Sequence, residues 1–150
     1  MSNSQATPAD AELILKLYDL RREPVMREAR SFIFGFAPQS IDDVMAILSD
    51  FSSKENAYLR QVFGYWGMAA SLVLHGALNE DLARDNFPEM LFVYAKFEPF
   101  MAEARKRTGM ETFGANVQKF VESSPAARAQ VAQFQQRFAA MRAEAAKKSA

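Results

Sequence analysis

Apolar residues recur along this sequence at spacings of three and four, which is the period of an amphipathic α-helix. Two of the segments open on Thr7-Pro8 and Ser124-Pro125, which combine an N-cap residue with a proline at the first helical position. Pro99 falls inside another segment and is expected to kink or split that helix, because proline lacks the N–H donor. The helices predicted from these signals cover about 8–22, 24–35, 41–48, 55–76, 80–86, 88–108, 113–121 and 125–147.

The segment from Gln61 to Asn79 contains no Asp, Glu, Lys or Arg, and most of it belongs to the predicted helix 55–76. Its 19 residues approach the roughly 20 apolar residues that a membrane-spanning helix needs. The alternative is the central helix of a bundle, which is apolar on all sides because its neighbours cover it. The other helices are amphipathic and need a core to cover, so we favour the central helix and predict no integral membrane span.

The last predicted helix carries a narrow apolar seam at spacings of four and three over nearly three heptads. Such a seam packs either on the helix's own domain or on a second copy of the chain. Self-association through this helix is therefore our leading prediction for a partner. The candidate interface residues are Val131, Phe134, Phe138 and Met141.

Composition agrees with an all-α fold, because alanine and leucine abound and β-branched residues are few. The chain also has 13 Phe and 8 Met, which are suited to filling a core between small-faced helices. A length of 150 residues corresponds to one domain, so we predict a single helical domain over 1–150 with frayed ends at 1–6 and 148–150. The predicted architecture is a compact bundle of six to eight helices around the helix 55–76, with a long C-terminal helix.

Charge and chemistry exclude several classes of function. The 18 basic and 18 acidic residues cancel, which argues against a nucleic-acid partner. The chain has no Cys and one His, so thiolate chemistry and sites that need two imidazoles in one chain are excluded. We find no nucleotide-binding or hydrolase motif and predict no cofactor and no metal site. The N-terminal residues lack the basic and apolar regions of a secretory signal, so a cytoplasmic location is expected.

Polar and aromatic residues of the central helix form the candidate ligand site. Pockets are mostly apolar with a few convergent polar groups, and Tyr65-Trp66 among small residues is suited to a pocket wall. Ser71 and His75 are four residues apart and share a helix face, as a Ser–His dyad would require. The simpler interpretation is that the aromatic residues pack in the core and that His75 caps the helix end. The candidate ligand-binding residues are Gln61, Tyr65, Trp66, Ser71 and His75.

Two stretches resemble small uncharacterised bacterial all-helical proteins of unknown function. The first, LYDLRREPVMREAR at 17–30, contains a Leu-Arg-Arg-Glu-Pro turn, and the second, YWGMAASLVLHGALNEDL at 65–82, pairs an aromatic dipeptide with His-Gly and an acidic helix start. The resemblance covers about residues 13–108 and implies a helical fold, but no activity. Proteins of this kind often carry Glu where this chain has Gly67, so chemistry that rests on a carboxylate there is in doubt.

These observations support three functions in order of preference. The first is a non-enzymatic helical module for protein interaction or homo-oligomerisation, based on the seam of the last helix. The second is a binding protein for an apolar small molecule, held in a helical pocket lined by Phe, Met and Trp. The third is a hydrolase or metal-dependent enzyme, for which the sequence offers the least support.

Overall fold

A computed structural model describes residues 5–150 and confirms the all-α fold. Residues 1–4, which belong to the predicted frayed N-terminus 1–6, lie outside the described residues. Between residues 5 and 150 the chain forms eight helices and no strand, and the last helix is the longest. The helices are α1 (Pro8–Arg21), α2 (Pro24–Gly35), α3 (Ile41–Leu48), α4 (Lys54–Leu74), α5 (Glu80–Asn86), α6 (Pro88–Thr108), α7 (Ala115–Ser123) and α8 (Pro125–Lys148).

Local capping chemistry fixes where the helices begin. The Thr7 hydroxyl accepts from the backbone N–H of Asp10, whose carboxylate accepts from the backbone N–H of Thr7, so the two residues form a capping box. Ser40 and Asp43 form the same arrangement at α3. The Asp10 carboxylate also accepts from the backbone N–H of Asn79 at 2.7 Å, which joins the start of α1 to the start of α5.

The core lies between α4 and α6. Helix α4 packs against α2 and α7, and α6 packs against α3, α7 and α8. The Phe63 ring of α4 and the Phe97 ring of α6 form a T-shaped contact, with centroids 5.0 Å apart. More residues are buried in α6 than in α4, so the predicted central helix shares that position with α6. Between residues 5 and 150, none of the helices is apolar over enough length to cross a membrane.

A buried lysine of α6 holds the end of α2. The Lys96 Nζ donates to the carbonyls of Ile33 at 2.7 Å and Phe34 at 2.8 Å, which belong to the last turn of α2. A cation is favourable there because the helix dipole is negative at its C-terminus. The ammonium also lies 4.8 Å from the Phe92 ring centroid. Burial lowers the pKa of Lys96 to about 8.

Helix α6 continues through Pro99 without splitting, which differs from one of the outcomes expected from the sequence. The proline ring is exposed, so it enters no core contact. Because proline has no N–H, the carbonyl of Ala95, four residues earlier, loses its helical donor. The Gln135 side chain of α8 supplies a replacement by donating Nε2 to that oxygen at 3.3 Å. The break in hydrogen bonding thereby becomes an attachment point for α8.

Candidate functional site

Polar contacts attach the first half of α8 to α6. Arg128 Nη1 lies 2.9 and 2.8 Å from the two carboxylate oxygens of Glu98, and Gln135 Nε2 donates to the same carboxylate at 3.1 Å. Burial alone would raise the pKa of Glu98, but hydrogen bonds from Tyr94, Arg128 and Gln135 outweigh it and hold that pKa below its ordinary value. Burial raises the pKa of Tyr94, so its hydroxyl stays protonated. The Glu98 carboxylate is therefore surrounded by hydrogen-bond donors from Tyr94, Arg128 and Gln135.

Aromatic contacts complete this attachment. The rings of Phe134 and Phe138 both lie edge-on to Phe92 of α6, with centroids 5.5 and 5.2 Å away. Val131, one turn earlier in the seam, is fully buried. Three of the four candidate interface residues are thus engaged within one chain, which is the first of the two packing alternatives that the seam allowed.

The second half of α8 extends beyond the rest of the domain. Residues 139–150 are all exposed, and the Met141 side chain is 69% exposed. Helices α6 and α8 run antiparallel, since Glu98 pairs with Arg128 and Phe92 pairs with Phe138. Helix α6 begins at Pro88, one turn before Phe92, so its surface ends near residue 142 of α8. Met141 therefore lies level with the first turn of α6 with its side chain exposed, and Ala145 is the first seam position past the end of α6.

The aromatic pair of α4 lies against the turn between α1 and α2. The Tyr65 hydroxyl donates to the carbonyl of Leu17, and burial raises the pKa of this phenol to about 12. The Trp66 side chain is 1% exposed and contacts Tyr65 edge-on, with centroids 4.7 Å apart. The Arg21 guanidinium lies 5.4 Å from the Trp66 ring centroid and Phe87 lies 5.5 Å away. Trp66 is therefore enclosed by protein groups.

The other candidate ligand residues lie elsewhere along α4. Gln61 is exposed, one turn before Tyr65. At the C-terminal end of the helix, His75 Nδ1 lies 2.9 Å from the Ser71 backbone carbonyl and 3.4 Å from its hydroxyl. The shorter contact is the one that caps the helix, as the simpler interpretation of His75 expected. The five residues thus fall into separate neighbourhoods, and the ligand-binding prediction stays a prediction.

Charged residues around the Leu20–Pro24 turn complete the cluster at Trp66. Arg30 of α2 donates Nε and Nη2 to the two oxygens of Glu89 at 2.8 and 2.7 Å, in the bidentate geometry that fixes a guanidinium. The Glu23 carboxylate accepts from the backbone N–H of Met26 and so caps α2. Arg21 and Arg30 are site residues that the sequence analysis did not select. The sequence signal that could have identified Arg21 was the Leu-Arg-Arg-Glu-Pro turn, because the resemblance described above pairs this turn with the aromatic dipeptide.

A comparison with known families matches residues 6–124 to a domain of unknown function, DUF4760. The chain belongs to the DUF4760 family. This confirms the resemblance to uncharacterised proteins and extends it at both ends of 13–108. No curated protein and no solved structure matches the chain. The DUF4760 match contains α1 to α7 and ends at Ser124, the N-cap of α8, so α8 lies outside the matched residues.

Proposed function

We propose that this protein is a non-enzymatic interaction module whose C-terminal helix associates with a second copy of the chain. One observation carries the proposal: the seam that docks α8 on α6 continues at Met141, whose side chain is exposed, and at Ala145, past the end of α6. An apolar residue such as Met141 gains free energy when another surface removes it from water. The free half is also mostly alanine between its charges, which permits a second helix to approach closely.

The charges of α8 favour an antiparallel arrangement of the two copies. If Phe138 and Ala145 occupy heptad position a and Met141 occupies d, then Arg137 and Glu144 both occupy g. Antiparallel helices bring g against g, so Arg137 of each copy faces Glu144 of the other. Parallel helices bring g against e, which would place Arg137 opposite Arg142 and cause repulsion. Charge complementarity therefore selects the antiparallel pair.

This register also gives Met141 a place to pack. It sets Met141 of one copy beside Phe138 of the second copy, whose ring is only half-buried against Phe92. The two helices then lie side by side next to the α6 helices that support them. Within one helix Arg137 and Glu144 are seven residues apart, roughly 10 Å, so they do not pair with each other. Any coupling between these two charges reports on contact between copies.

Sedimentation velocity over a wide range of protein concentration tests the proposal. The wild type is expected to associate, and Met141→Glu is expected to remain monomeric with unchanged helicity, because Met141 is exposed in one chain. Ala143→Glu, on the opposite face of the same helix, is the matched control and should associate like the wild type. A wild type that stays monomeric at the highest concentration would refute self-association.

A charge exchange tests the antiparallel register separately. Arg137→Glu should weaken association roughly tenfold, because it turns two attractive contacts per dimer into repulsive ones. The double variant Arg137→Glu/Glu144→Arg should recover most of that loss by restoring the pairs in reverse. If association persists but the double variant is no stronger than the single one, the antiparallel register is wrong while self-association stands.

A further inference from the structure

The Arg21 side chain occupies an unusual environment at the turn between α1 and α2. Its guanidinium carbon lies 5.3 Å from the ring centroid of Tyr18, 5.4 Å from that of Trp66 and 5.8 Å from that of Phe87. These three rings hold the guanidinium in place through cation–π contacts. The group is thus positioned in advance, although no hydrogen bond of the described residues accounts for that position.

Two donors in this cluster have no acceptor. Arg21 Nε and Trp66 Nε1 are buried and unpartnered among the described residues. Buried donors are normally satisfied, and each one left without a partner costs free energy. The side chain of Arg21 as a whole is half-buried, so its two terminal nitrogens reach solvent. The cluster therefore presents the two terminal nitrogens of Arg21 to solvent, while Arg21 Nε and Trp66 Nε1 stay buried.

The charge balance around Arg21 is also incomplete. Arg30, its neighbour on α2, has a bidentate partner in Glu89, whereas no carboxylate of residues 5–150 lies within ion-pair distance of Arg21. The nearest acidic residue in the turn, Glu23, uses its carboxylate to cap α2. A guanidinium that is surrounded by aromatic rings, partly desolvated and unpaired is suited to a planar anion with two oxygens.

We propose that Arg21 binds the carboxylate of a small organic acid through its two terminal nitrogens. The guanidinium itself is planar and its Nε is buried, so a carboxylate approaching the two terminal nitrogens can accept two parallel hydrogen bonds. The single guanidinium matches the one negative charge of a carboxylate and leaves half the charge of a phosphate dianion unbalanced, which favours the carboxylate.

This inference is independent of the proposed self-association, because the cluster belongs to α1, α2, α4 and the start of α6. It also gives a role to the Leu-Arg-Arg-Glu-Pro turn and the aromatic pair, which the interaction module leaves unused. Trp66 is the only tryptophan of the chain and lies under the Arg21 guanidinium, so its emission reports on this site alone.

The test is a titration of the whole protein with sodium acetate, with ionic strength held constant by chloride. Acetate is expected to change Trp66 emission saturably, and phosphate at equal ionic strength should bind more weakly. Arg21→Lys should weaken acetate binding by at least about tenfold, because lysine keeps the positive charge but cannot donate two parallel hydrogen bonds to one carboxylate. Arg22→Lys is the matched control, since Arg22 lies 5.7 Å from the Tyr18 ring and is exposed; it should bind acetate like the wild type.

A second measurement on the wild type covers the case in which Arg21→Lys fails to fold. In a protein labelled with ¹⁵N-arginine, acetate should shift the Nε–H resonance of Arg21 and leave that of Arg22 in place. An emission that does not respond to acetate, or an equal loss in both lysine variants, would overturn the site. Stronger binding of phosphate than of acetate would overturn the choice of carboxylate.

Discussion

Replacing Phe138 tests the docking of α8 on α6. Phe138→Ala removes a ring that lies edge-on to Phe92 and within 6.0 Å of the Lys96 ammonium. A fully buried Phe→Ala change costs about 3–5 kcal/mol, and the half-burial of Phe138 reduces this by about half. The expected loss is therefore about 2 kcal/mol, of which the edge contact supplies about 0.5–1.5 kcal/mol. Met141→Ala, one turn later and exposed, should change stability by less than about 0.5 kcal/mol.

Two assays at low protein concentration measure this difference. Urea denaturation followed by Trp66 emission reports global unfolding, and amide hydrogen exchange along α8 reports local detachment of the helix. Phe138→Ala should speed exchange at residues 128–138 and lower the urea midpoint, with a fall in Tm of roughly 4–8 °C. Unchanged exchange and an unchanged midpoint would refute the docking argument. A loss that is seen only at high concentration would mean that Phe138 packs between copies rather than within one.

Two further predictions concern glycine conformation and the buried Lys96. Gly64→Ala should raise stability by about 0.5–1 kcal/mol, because Gly64 is inside α4 and a Cβ there meets nothing within 4 Å. Gly114→Ala should lower stability, because Gly114 has φ +68° and a Cβ would lie 2.4 Å from Met101 Cε. Thermal melts of both variants check these two expectations. Burial lowers the pKa of Lys96 to about 8 from 10.5, so the unfolded chain binds more protons between these values and the contribution of Lys96 to stability should rise with pH across that window. Urea midpoints of the wild type minus those of Lys96→Met should increase from pH 8 to pH 10, and a flat difference would contradict the shift.

Local chemistry made most of the helix boundaries predictable. Thr7, Ser40 and Asn79 cap their helices through hydrogen bonds to residues three positions away, so the sequence contains the whole interaction. Pro99 shows the limit of such local rules. Its effect on α6 depends on Gln135, which lies 36 residues later and takes up the freed Ala95 carbonyl at 3.3 Å.

The candidate sites depended on contacts that spacing does not encode. Arg30 and Glu89 are 59 positions apart, and Lys96 reaches the end of α2 across 63 positions. The aromatic pair Tyr65-Trp66 could be recognised from the sequence, but its cover by Arg21 depends on how the α1–α2 turn packs against α4. For that reason spacing along α4 pointed to Ser71 and His75 and not to Arg21, which lies beside the aromatic pair in space.

The two halves of α8 carry the same heptad pattern, but the first half packs on α6 and the second half is exposed. The docking of the first half therefore affects the association proposed for the second. The free half has ten helical residues, fewer than the roughly 12–15 that an isolated helix needs to be stable in water. It is helical because the docked half supplies the nucleus and alanine propagates it. A second copy therefore meets a helix that is already ordered and does not spend binding free energy on folding it. Loosening the Glu98–Arg128 pair should consequently weaken association as well, even though neither of these two residues needs to touch the partner.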